Sequence, residues 1–491
     1  MTQGTHETKR RSAEAPKRLL RNFIGGRFVP PHSASYIDDV NPATEEVIAA
    51  IPDSDGQDID DAVAAAREAF PSWSRTPAAE RSRLLLKLAD LIEQNIEELA
   101  RLESQDNGKT ISLARRLDIP RAVLNFRFFA TGILHQSSEA HPTDGTALNY
   151  TLRQPLGVAG LISPWNLPLY LLSWKIAPAI ATGNTCVAKP SELTPLTANR
   201  LAELSLEAGI PPGVINIVHG YGNKAGRALT SHPDVPLISF TGGTVTGAAV
   251  ATNAGPRFKK ISLELGGKNP NLVFADADLD DAVATSIRSS FWNQGEICLC
   301  GSRIFVERSA YDAFLERFVA ATKKLKIGDP LDETTDIGAL ISADHLKKVT
   351  GYVELAKQEG GTVVTGGNRV DRRGYFVEPA IITGLGTNCR VLQEEIFGPV
   401  VTVTPFDGED EAIAFANSTR YGLASTVWTR DLQRAHRVAA AIDSGTVWIN
   451  CWLLRDLRVP FGGMRESGVG REGGFESLNF FTEAKNVCVK L

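Results

Sequence analysis

The chain has 491 residues and a formal net charge of −5; 43% of its residues are hydrophobic and 22% are charged. This composition is ordinary for a globular protein, and a slightly acidic charge without a long basic run argues against a nucleic-acid partner. The longest uncharged segment, residues 154–174, contains three prolines, which disfavours a transmembrane helix, so we expect no membrane association.

Residues 1–17 are predicted to be a disordered tail, and this tail has no apolar segment typical of a signal peptide. The chain contains six scattered cysteines, which indicates free thiols in a reducing compartment. We therefore predict a cytoplasmic protein, and the length suggests about three domains of ~150 residues each.

The first part of the chain is predicted to be mainly helical. Residues 58–70 form a helix that Asp58 can cap, and residues 79–102 form one long amphipathic helix with apolar residues at spacings of three and four. A further helix covers residues 118–129, with Pro120 near its start, where the missing N–H of proline is tolerated.

From residue 158 onwards, short apolar strands alternate with helices. The predicted strands are residues 158–162, 185–188, 214–218, 237–240 and 261–263. The predicted helices are residues 168–181, 197–209, a segment after Gly222, and residues 244–253. This alternation is typical of βαβ units and a parallel sheet.

A second alternating series begins near Asn271 and indicates a second α/β domain, with the boundary near residues 263–268. It includes strands at residues 272–274, 303–306 and 447–450 and helices at residues 282–292 and 311–325. Residues 483–491 alternate like a lone strand, which needs a partner sheet, for which another subunit is one source.

Cys298 lies in a segment flanked by Gly295 and Gly301, and glycine lets other groups approach the backbone closely. A cysteine is a good nucleophile only as a thiolate, so a catalytic Cys298 requires activation. A buried structural cysteine is the alternative. The Cys298-x-Cys300 spacing has no second cysteine pair and no histidine pair, so we predict no metal site.

Residues 240–247 follow an apolar strand and open a helix, whose N-terminal N–H groups suit a pyrophosphate. The spacing is not G-x-G-x-x-G, so a plain tight turn is the alternative. The literal G-x-G-x-x-G at residues 468–473 follows no strand and is discounted; residues 220–222 are a reserve candidate. Lys189 and Glu192 end another strand and either face solvent or hold ribose hydroxyls, where a carboxylate favours NAD over NADP.

Seven motifs occur in an order that resembles the NAD(P)-dependent aldehyde dehydrogenase superfamily over residues 20–491. They are Pro164-Trp165-Asn166, Lys189-Pro190-Ser191-Glu192, Phe240-Thr241-Gly242, Leu263-Glu264-Leu265-Gly266-Gly267-Lys268, residues 295–303, Glu394-Glu395-Ile396-Phe397-Gly398-Pro399 and Pro460-Phe461-Gly462-Gly463. The resemblance implies an α/β fold with a Rossmann-like parallel-sheet cofactor domain, a second α/β catalytic domain and a small β oligomerisation arm. The implied limits are 18–136 and 154–262 for the NAD-binding domain, 263–465 for the catalytic domain, and 137–153 and 466–491 for the arm and C-terminal segment.

The resemblance also assigns roles to residues of this chain. Cys298 is the implied nucleophile, Glu264 the base that activates water, and the Asn166 amide an oxyanion donor together with the Cys298 N–H. The implied NAD-binding residues are Trp165, Lys189, Ser191, Glu192, Gly242, Gly243, Leu265, Glu395 and Phe397. Glu296 and Gly243 depart from the family pattern, which commonly has Gln and Ser there. A hydroxyl contact to the cofactor phosphate is therefore in doubt at Gly243, although backbone donation survives.

Within the family, residues 163–172, 293–300 and 450–457 resemble the branch that oxidises muconic semialdehydes. The implied reaction converts 2-aminomuconate 6-semialdehyde to 2-aminomuconate; the alternatives are the 2-hydroxy analogue or another carboxylate-bearing semialdehyde. A carboxylate favours arginine, which points to Arg121 and Arg455, with surface ion pairs as the alternative. Trp452 and Phe461 are expected to line the part of the site that holds the apolar diene of a muconic semialdehyde.

Two readings from other classes remain open. The first is a thiol hydrolase that uses Cys298 and Glu264 without redox chemistry. The second is a non-catalytic member of the family, which would be expected to lack one of these two residues. The resemblance further implies a homo-oligomer, a dimer or a tetramer, in kynurenine or other aromatic catabolism.

Overall fold

The computed structural model describes residues 18–491, so the predicted disordered tail, residues 1–17, lies outside the described residues. The strands of the first half are β1 Asn22–Ile24, β2 Arg27–Val29, β3 Tyr36–Asn41, β4 Glu46–Pro52, β5 Ala140–Thr143, β6 Ala147–Pro155, β7 Val158–Ile162, β8 Thr185–Lys189, β9 Ile215–Ile217, β10 Leu237–Thr241 and β11 Lys260–Glu264. The later strands are β12 Pro270–Val273, β13 Arg303–Glu307, β14 Thr362–Thr365, β15 Ala380–Thr383, β16 Val400–Phe406, β17 Tyr421–Gly422, β18 Ala424–Trp428, β19 Thr446–Ile449, β20 Met464–Arg465, β21 Gly468–Val469 and β22 Thr482–Lys490.

The helices alternate with these strands over most of the chain. They are α1 Gly56–Trp73, α2 Ala78–Gln94, α3 Ile96–Asn107, α4 Ile111–Leu113, α5 Ile119–Gly132, α6 Pro168–Ala181, α7 Leu196–Ala208, α8 Arg227–Ser231, α9 Thr244–Ala254, α10 Leu279–Phe291, α11 Arg308–Thr322, α12 Ala343–Gln358, α13 Arg390–Gln393, α14 Gly408–Ala416, α15 Leu432–Ala441 and α16 Gly474–Phe480. Between residues 18 and 491, no helix has the length and apolar character needed to cross a membrane.

The first large sheet has the strand order β2-β1-β9-β8-β7-β10-β11-β21, and its strands from β9 to β11 are parallel. Strands β7 and β8 are buried along their whole length, because helices cover both faces of the sheet. This explains the continuous apolar sequence of β7. The carboxyl ends of β7, β8, β10 and β11 reach one edge of the sheet. The site residues that follow these strands are therefore neighbours in space.

The second large sheet has the order β14-β15-β16-β13-β12-β18-β19, and only β14 is antiparallel to its neighbour. The chain leaves the first sheet after Glu264 and enters the second at Pro270. Two parallel-sheet units in succession confirm the predicted α/β fold class, whereas the predicted domain limits stay predictions.

A third sheet has the order β22-β6-β5. β22 pairs with β6 from Thr482↔Pro155 to Lys490↔Ala147. The suggestion that the terminal strand pairs with another subunit is therefore not needed, because β6 of the same chain supplies the partner. Just before it, β21 pairs with β11 at the edge of the first sheet, so the literal G-x-G-x-x-G begins in an edge strand.

Two helix predictions are corrected by the structure. The predicted helix 79–102 is two helices, because the backbone leaves helical geometry at Asn95 (φ −108°, ψ 22°). The apolar spacing continues across the break because both helices bury their faces in the same core. The cap of α1 is Asp55, which accepts a hydrogen bond from the Gln57 N–H at 2.9 Å, and Asp58 accepts one from the Asp55 N–H at 3.1 Å. This is a reciprocal capping arrangement.

Candidate active site

A cavity of about 830 Å³ lies between the carboxyl edge of the first sheet and loops of the second. Asn166 and Cys298 line it. So do all the residues predicted to bind the cofactor: Trp165, Lys189, Ser191, Glu192, Gly242, Gly243, Leu265, Glu395 and Phe397. The structure thus brings together residues separated by more than two hundred positions. Gly222 of the reserve candidate lines the same cavity.

The start of α9 can accept an anionic group. No side chain caps this helix, which begins at Thr244 after Gly243. The hydroxyl oxygens of Thr241 and Thr244 are buried and have no hydrogen-bond partner among residues 18–491. Free N–H groups at a helix N-terminus and unpartnered hydroxyls fit a pyrophosphate.

The two ends of the cavity carry carboxylates. At one end, Lys189 Nζ donates to the Pro190 carbonyl at 2.6 Å and to Glu192 Oε2 at 3.4 Å, and burial lowers the pKa of this lysine. At the other end, Glu395 Oε1 accepts from the Gly267 N–H at 3.0 Å. A side chain at Gly266 would contact the Glu395 carboxylate, so glycine is needed there for the close approach.

Cys298 follows a segment with unusual backbone geometry, since Asn293, Gln294 and Gly295 all have positive φ. Its carbonyl accepts a hydrogen bond from the Asn269 amide at 2.7 Å, which fixes the residue. Burial raises the pKa of the Cys298 thiol, and the nearby carboxylates of Glu395 and Glu264 raise it further. The resting group is therefore a neutral thiol, and the thiolate requires a base or a positive charge to form.

Asn166 is buried beside this segment. Its side-chain Nδ2 donates to the Glu296 backbone carbonyl at 2.8 Å. The backbone carbonyl of Asn166 accepts from Lys109 Nζ at 2.9 Å and from the Asn293 side-chain amide at 3.0 Å. Lys109 is fully buried and also contacts Asp118 and Glu103. This role of Lys109 could not be predicted, because a buried lysine and an exposed one look alike in a polar stretch of sequence.

Glu264 ends β11 and is buried, and neither of its carboxylate oxygens has a hydrogen-bond partner among the described residues. Burial raises its pKa well above the ordinary value, and the neighbouring Glu472 raises it further. Lys175 Nζ donates to Glu472 Oε1 at 3.0 Å. Glu264 shares a small cavity with Cys298. A desolvated carboxylate near a nucleophile is suited to general base catalysis, and neither Lys175 nor Glu472 was anticipated.

Arg121 and Arg455 converge, although 334 positions separate them in the sequence. The Arg121 guanidinium lies 5.1 Å from the Tyr170 ring and 5.5 Å from the Trp174 ring, and that of Arg455 lies 5.9 Å from the Trp174 ring. Arg455 Nη1 is 3.3 Å from the Tyr170 hydroxyl and its guanidinium 3.7 Å from the Phe461 ring. Within the described part of the chain, neither arginine forms a salt bridge.

Burial lowers the pKa of Arg121, and the positive charge of Arg455 lowers it further. The structure thus presents two close guanidinium groups without a carboxylate partner, which suits an anionic ligand. Tyr170 between them was missed, although its four-residue spacing from Trp174 puts both on one face of α6.

Of the two aromatic residues expected at the substrate, Phe461 lines the small cavity that holds Glu264 and Cys298. Trp452 is not among its lining residues. Its indole Nε1 donates to the Leu299 carbonyl at 3.0 Å, so Trp452 packs behind the nucleophile segment. A direct contact between Trp452 and a substrate stays a prediction.

Comparison with known proteins places this geometry in a family. The model of the aldehyde dehydrogenase family matches residues 28–487. The chain is 57% identical over 481 residues to the 2-aminomuconic semialdehyde dehydrogenase of Danio rerio, covering 96% of this chain and 98% of that protein. It is 48% identical over 483 residues to the 2-hydroxymuconic semialdehyde dehydrogenase of Pseudomonas sp. strain CF600, covering 96% and 99%.

A solved structure of an aldehyde dehydrogenase from Bacillus cereus in complex with NAD⁺ superimposes with a TM-score of 0.95. The two chains are 43% identical, and the match covers 96% of each. The sequence match and the structural match each cover 96% of this chain. The chain therefore belongs to the aldehyde dehydrogenase family.

Proposed function

We propose that the chain oxidises 2-aminomuconate 6-semialdehyde to 2-aminomuconate with NAD as the oxidant. The observation that carries this proposal is a pair of arginines without a salt bridge. Arg455 lines the small cavity that holds Cys298. Arg121 is not among the lining residues but lies against Tyr170 and Trp174, which are. A muconic semialdehyde has an aldehyde at one end and a carboxylate at the other. The arginine pair suits the carboxylate while Cys298 meets the aldehyde, and the name of the Danio rerio relative supports the same substrate.

The large cavity fits NAD. The unpartnered Thr241 hydroxyl, which lines this cavity, and the uncapped start of α9 suit the pyrophosphate. Glu192 would accept from an adenosine ribose hydroxyl and repel a 2′-phosphate, which favours NAD over NADP. Glu395 would hold the nicotinamide ribose, with Phe397 and Trp165 against the ring. When bound, NAD accepts the hydride that the substrate loses.

The residues act in two half-reactions. Cys298 Sγ, after losing its proton, bonds to the aldehyde carbon and forms a thiohemiacetal oxyanion, which the Asn166 amide and the Cys298 N–H stabilise. Collapse of the oxyanion expels the hydride and leaves a thioester on Cys298. Glu264 then removes a proton from water, and the resulting hydroxide displaces the Cys298 thiolate to release the carboxylic acid.

The 2-hydroxy analogue is the second candidate substrate, supported by the name of the Pseudomonas relative at 48% identity. An amino group and a hydroxyl are nearly isosteric, so a site that recognises the distal carboxylate discriminates weakly between them. Other semialdehydes that carry a carboxylate at the same distance would also fit the arginine pair.

NADH formation with purified protein tests the proposal. The substrates are 2-aminomuconate 6-semialdehyde, its 2-hydroxy analogue, acetaldehyde and benzaldehyde, with NAD or NADP, and Cys298→Ser is the inactive control. We expect the highest kcat/KM for the two semialdehydes with NAD. Equal kcat/KM for the simple aldehydes would overturn the substrate assignment, and no NADH from any aldehyde would overturn the reaction.

We also propose a cytoplasmic homo-oligomer, a dimer or a tetramer, that acts in kynurenine or other aromatic catabolism. The third sheet, in which Leu148, Leu152 and Val489 are exposed apolar residues, supports a role as an oligomerisation arm. The proposed substrate, a muconic semialdehyde, supports the proposed place in kynurenine or other aromatic catabolism. Light scattering of the purified chain tests the assembly, and a monomer at micromolar concentration would contradict it.

A further inference from the structure

The segment that leads to Cys298 contacts the loop just before α12. Gln294 Nε2 donates to the Ala339 carbonyl at 3.0 Å, and Glu296 Oε1 accepts from the Ile341 N–H at 3.2 Å. The other oxygen of Glu296 is buried and has no hydrogen-bond partner among residues 18–491. Gln294 and Glu296, which precede Cys298, therefore help to hold the loop that leads into α12.

His345 lies on the first turn of α12 and lines the cofactor cavity. Its Nε2 is 2.6 Å from the Phe397 carbonyl and 3.5 Å from Glu296 Oε1. A carbonyl can only accept, so Nε2 carries the proton. Burial lowers the pKa of His345 to about 4, so the ring is neutral at physiological pH and one nitrogen alone donates.

Phe397 has a left-handed backbone, with φ of +60°. A bulky residue in this region is strained, and such strain persists only when the surroundings hold it. Two contacts do so here: the hydrogen bond from His345 and the edge-to-face packing of the Phe397 ring on Trp165, at 5.3 Å between centroids. The His345 ring also packs on Trp165 at 5.3 Å.

We propose that His345 is a positioning residue that, through its hydrogen bond to the Phe397 carbonyl, sets the Phe397 ring against the nicotinamide. The proposal rests on the proposed function of this site. His345 does not line the small cavity that holds Glu264, Cys298 and Phe461; it acts through the Phe397 carbonyl. Its removal should disturb hydride transfer while sparing chemistry at Cys298 that needs no cofactor.

The test compares His345→Leu with His345→Gln, whose side-chain amide can reach the same carbonyl. The exposed His436 serves as a matched control through His436→Leu. We expect His345→Leu to lower kcat for aldehyde oxidation about tenfold, equivalent to about 1.4 kcal/mol, with KM for NAD within about threefold. His345→Gln should recover most of this loss, and His436→Leu should show none.

A second readout separates positioning from structural damage. Hydrolysis of p-nitrophenyl acetate without NAD requires Cys298 but no hydride transfer, so its rate should stay within about twofold in every His345 variant. Full dehydrogenase activity in His345→Leu, an equal loss of ester hydrolysis, or no recovery in His345→Gln would overturn the inference. If the wild type formed no NADH from any aldehyde, both the proposed function and this inference would be overturned. If the wild type were active and His345→Leu equally active, the inference alone would be overturned.

Discussion

Replacing Arg455 by alanine should reduce kcat/KM for a muconic semialdehyde about 30- to 160-fold. A hydrogen bond to a charged group contributes about 1.5–3 kcal/mol, and a guanidinium–carboxylate pair can form two such bonds. Arg455 is only half-buried, so solvent screens part of this interaction, and we expect a loss near 2–3 kcal/mol for the pair. Each 1.36 kcal/mol corresponds to a factor of ten.

Arg121 is flanked by the Tyr170 and Trp174 rings, and its Nη2 is buried without a partner among the described residues. Because a more desolvated charge interacts more strongly, Arg121→Ala should lose at least as much as Arg455→Ala. Arg127 is the matched control, since it lies on the same helix but pairs with Asp90 and Glu93 at the surface.

The assay measures kcat/KM for NADH formation from 2-aminomuconate 6-semialdehyde and from benzaldehyde, which has no carboxylate. The losses should appear only with the semialdehyde, and Arg127→Ala should be silent with both aldehydes. Arg455→Lys keeps the charge but not the planar fork and should recover only part of the loss. Equal losses with both aldehydes, or no loss with either, would refute the role of the arginine pair.

Three further predictions concern the catalytic centre. Asn166→Ala should lower kcat about 10²- to 10³-fold with little change in KM, because one oxyanion donor is lost; unchanged steady-state kinetics would contradict this. Lys109→Met should lower the free energy of unfolding in urea by about 3–5 kcal/mol, since it leaves buried carboxylates unpaired, whereas the exposed Lys87→Met should be neutral; equal effects would contradict the buried network. Burial raises the pKa values of both Glu264 and Cys298, and both act when deprotonated. Between about pH 6 and pH 9, kcat/KM should therefore rise through Cys298, which acts before the hydride leaves, and kcat should rise through Glu264, which acts afterwards; profiles that fall over this interval would contradict their roles.

Much of the fold follows from local patterns. Strand β7 is an uninterrupted apolar run, and α7 ends at Gly209 in a left-handed conformation (φ 85°), as the sequence predicts. The break at Asn95 could not be predicted, because the helices on both sides bury the same apolar face. The partner of β22 was likewise hidden, since strand pairing between distant segments leaves no local pattern.

The candidate site was likewise predictable from the sequence only in part. Cys298, Glu264 and Asn166 could be predicted because each lies in a distinctive short motif. The convergence of Arg121 with Arg455 is a product of tertiary packing that no spacing predicts. Lys109 and His345 were missed for a different reason: each acts through another residue's carbonyl, and such a contact leaves no pattern in the sequence.

The central claim is that Cys298 carries an acyl group after a redox step, which Glu264 then helps water to remove. Mass spectrometry of rapidly quenched Glu264→Gln protein, mixed with NAD and 2-aminomuconate 6-semialdehyde, tests it most directly. We predict an acyl adduct on the Cys298 peptide together with about one equivalent of NADH per site. An adduct on another residue would contradict the account, and so would a Cys298 adduct without NADH, because it would be an unoxidised thiohemiacetal and not a thioester.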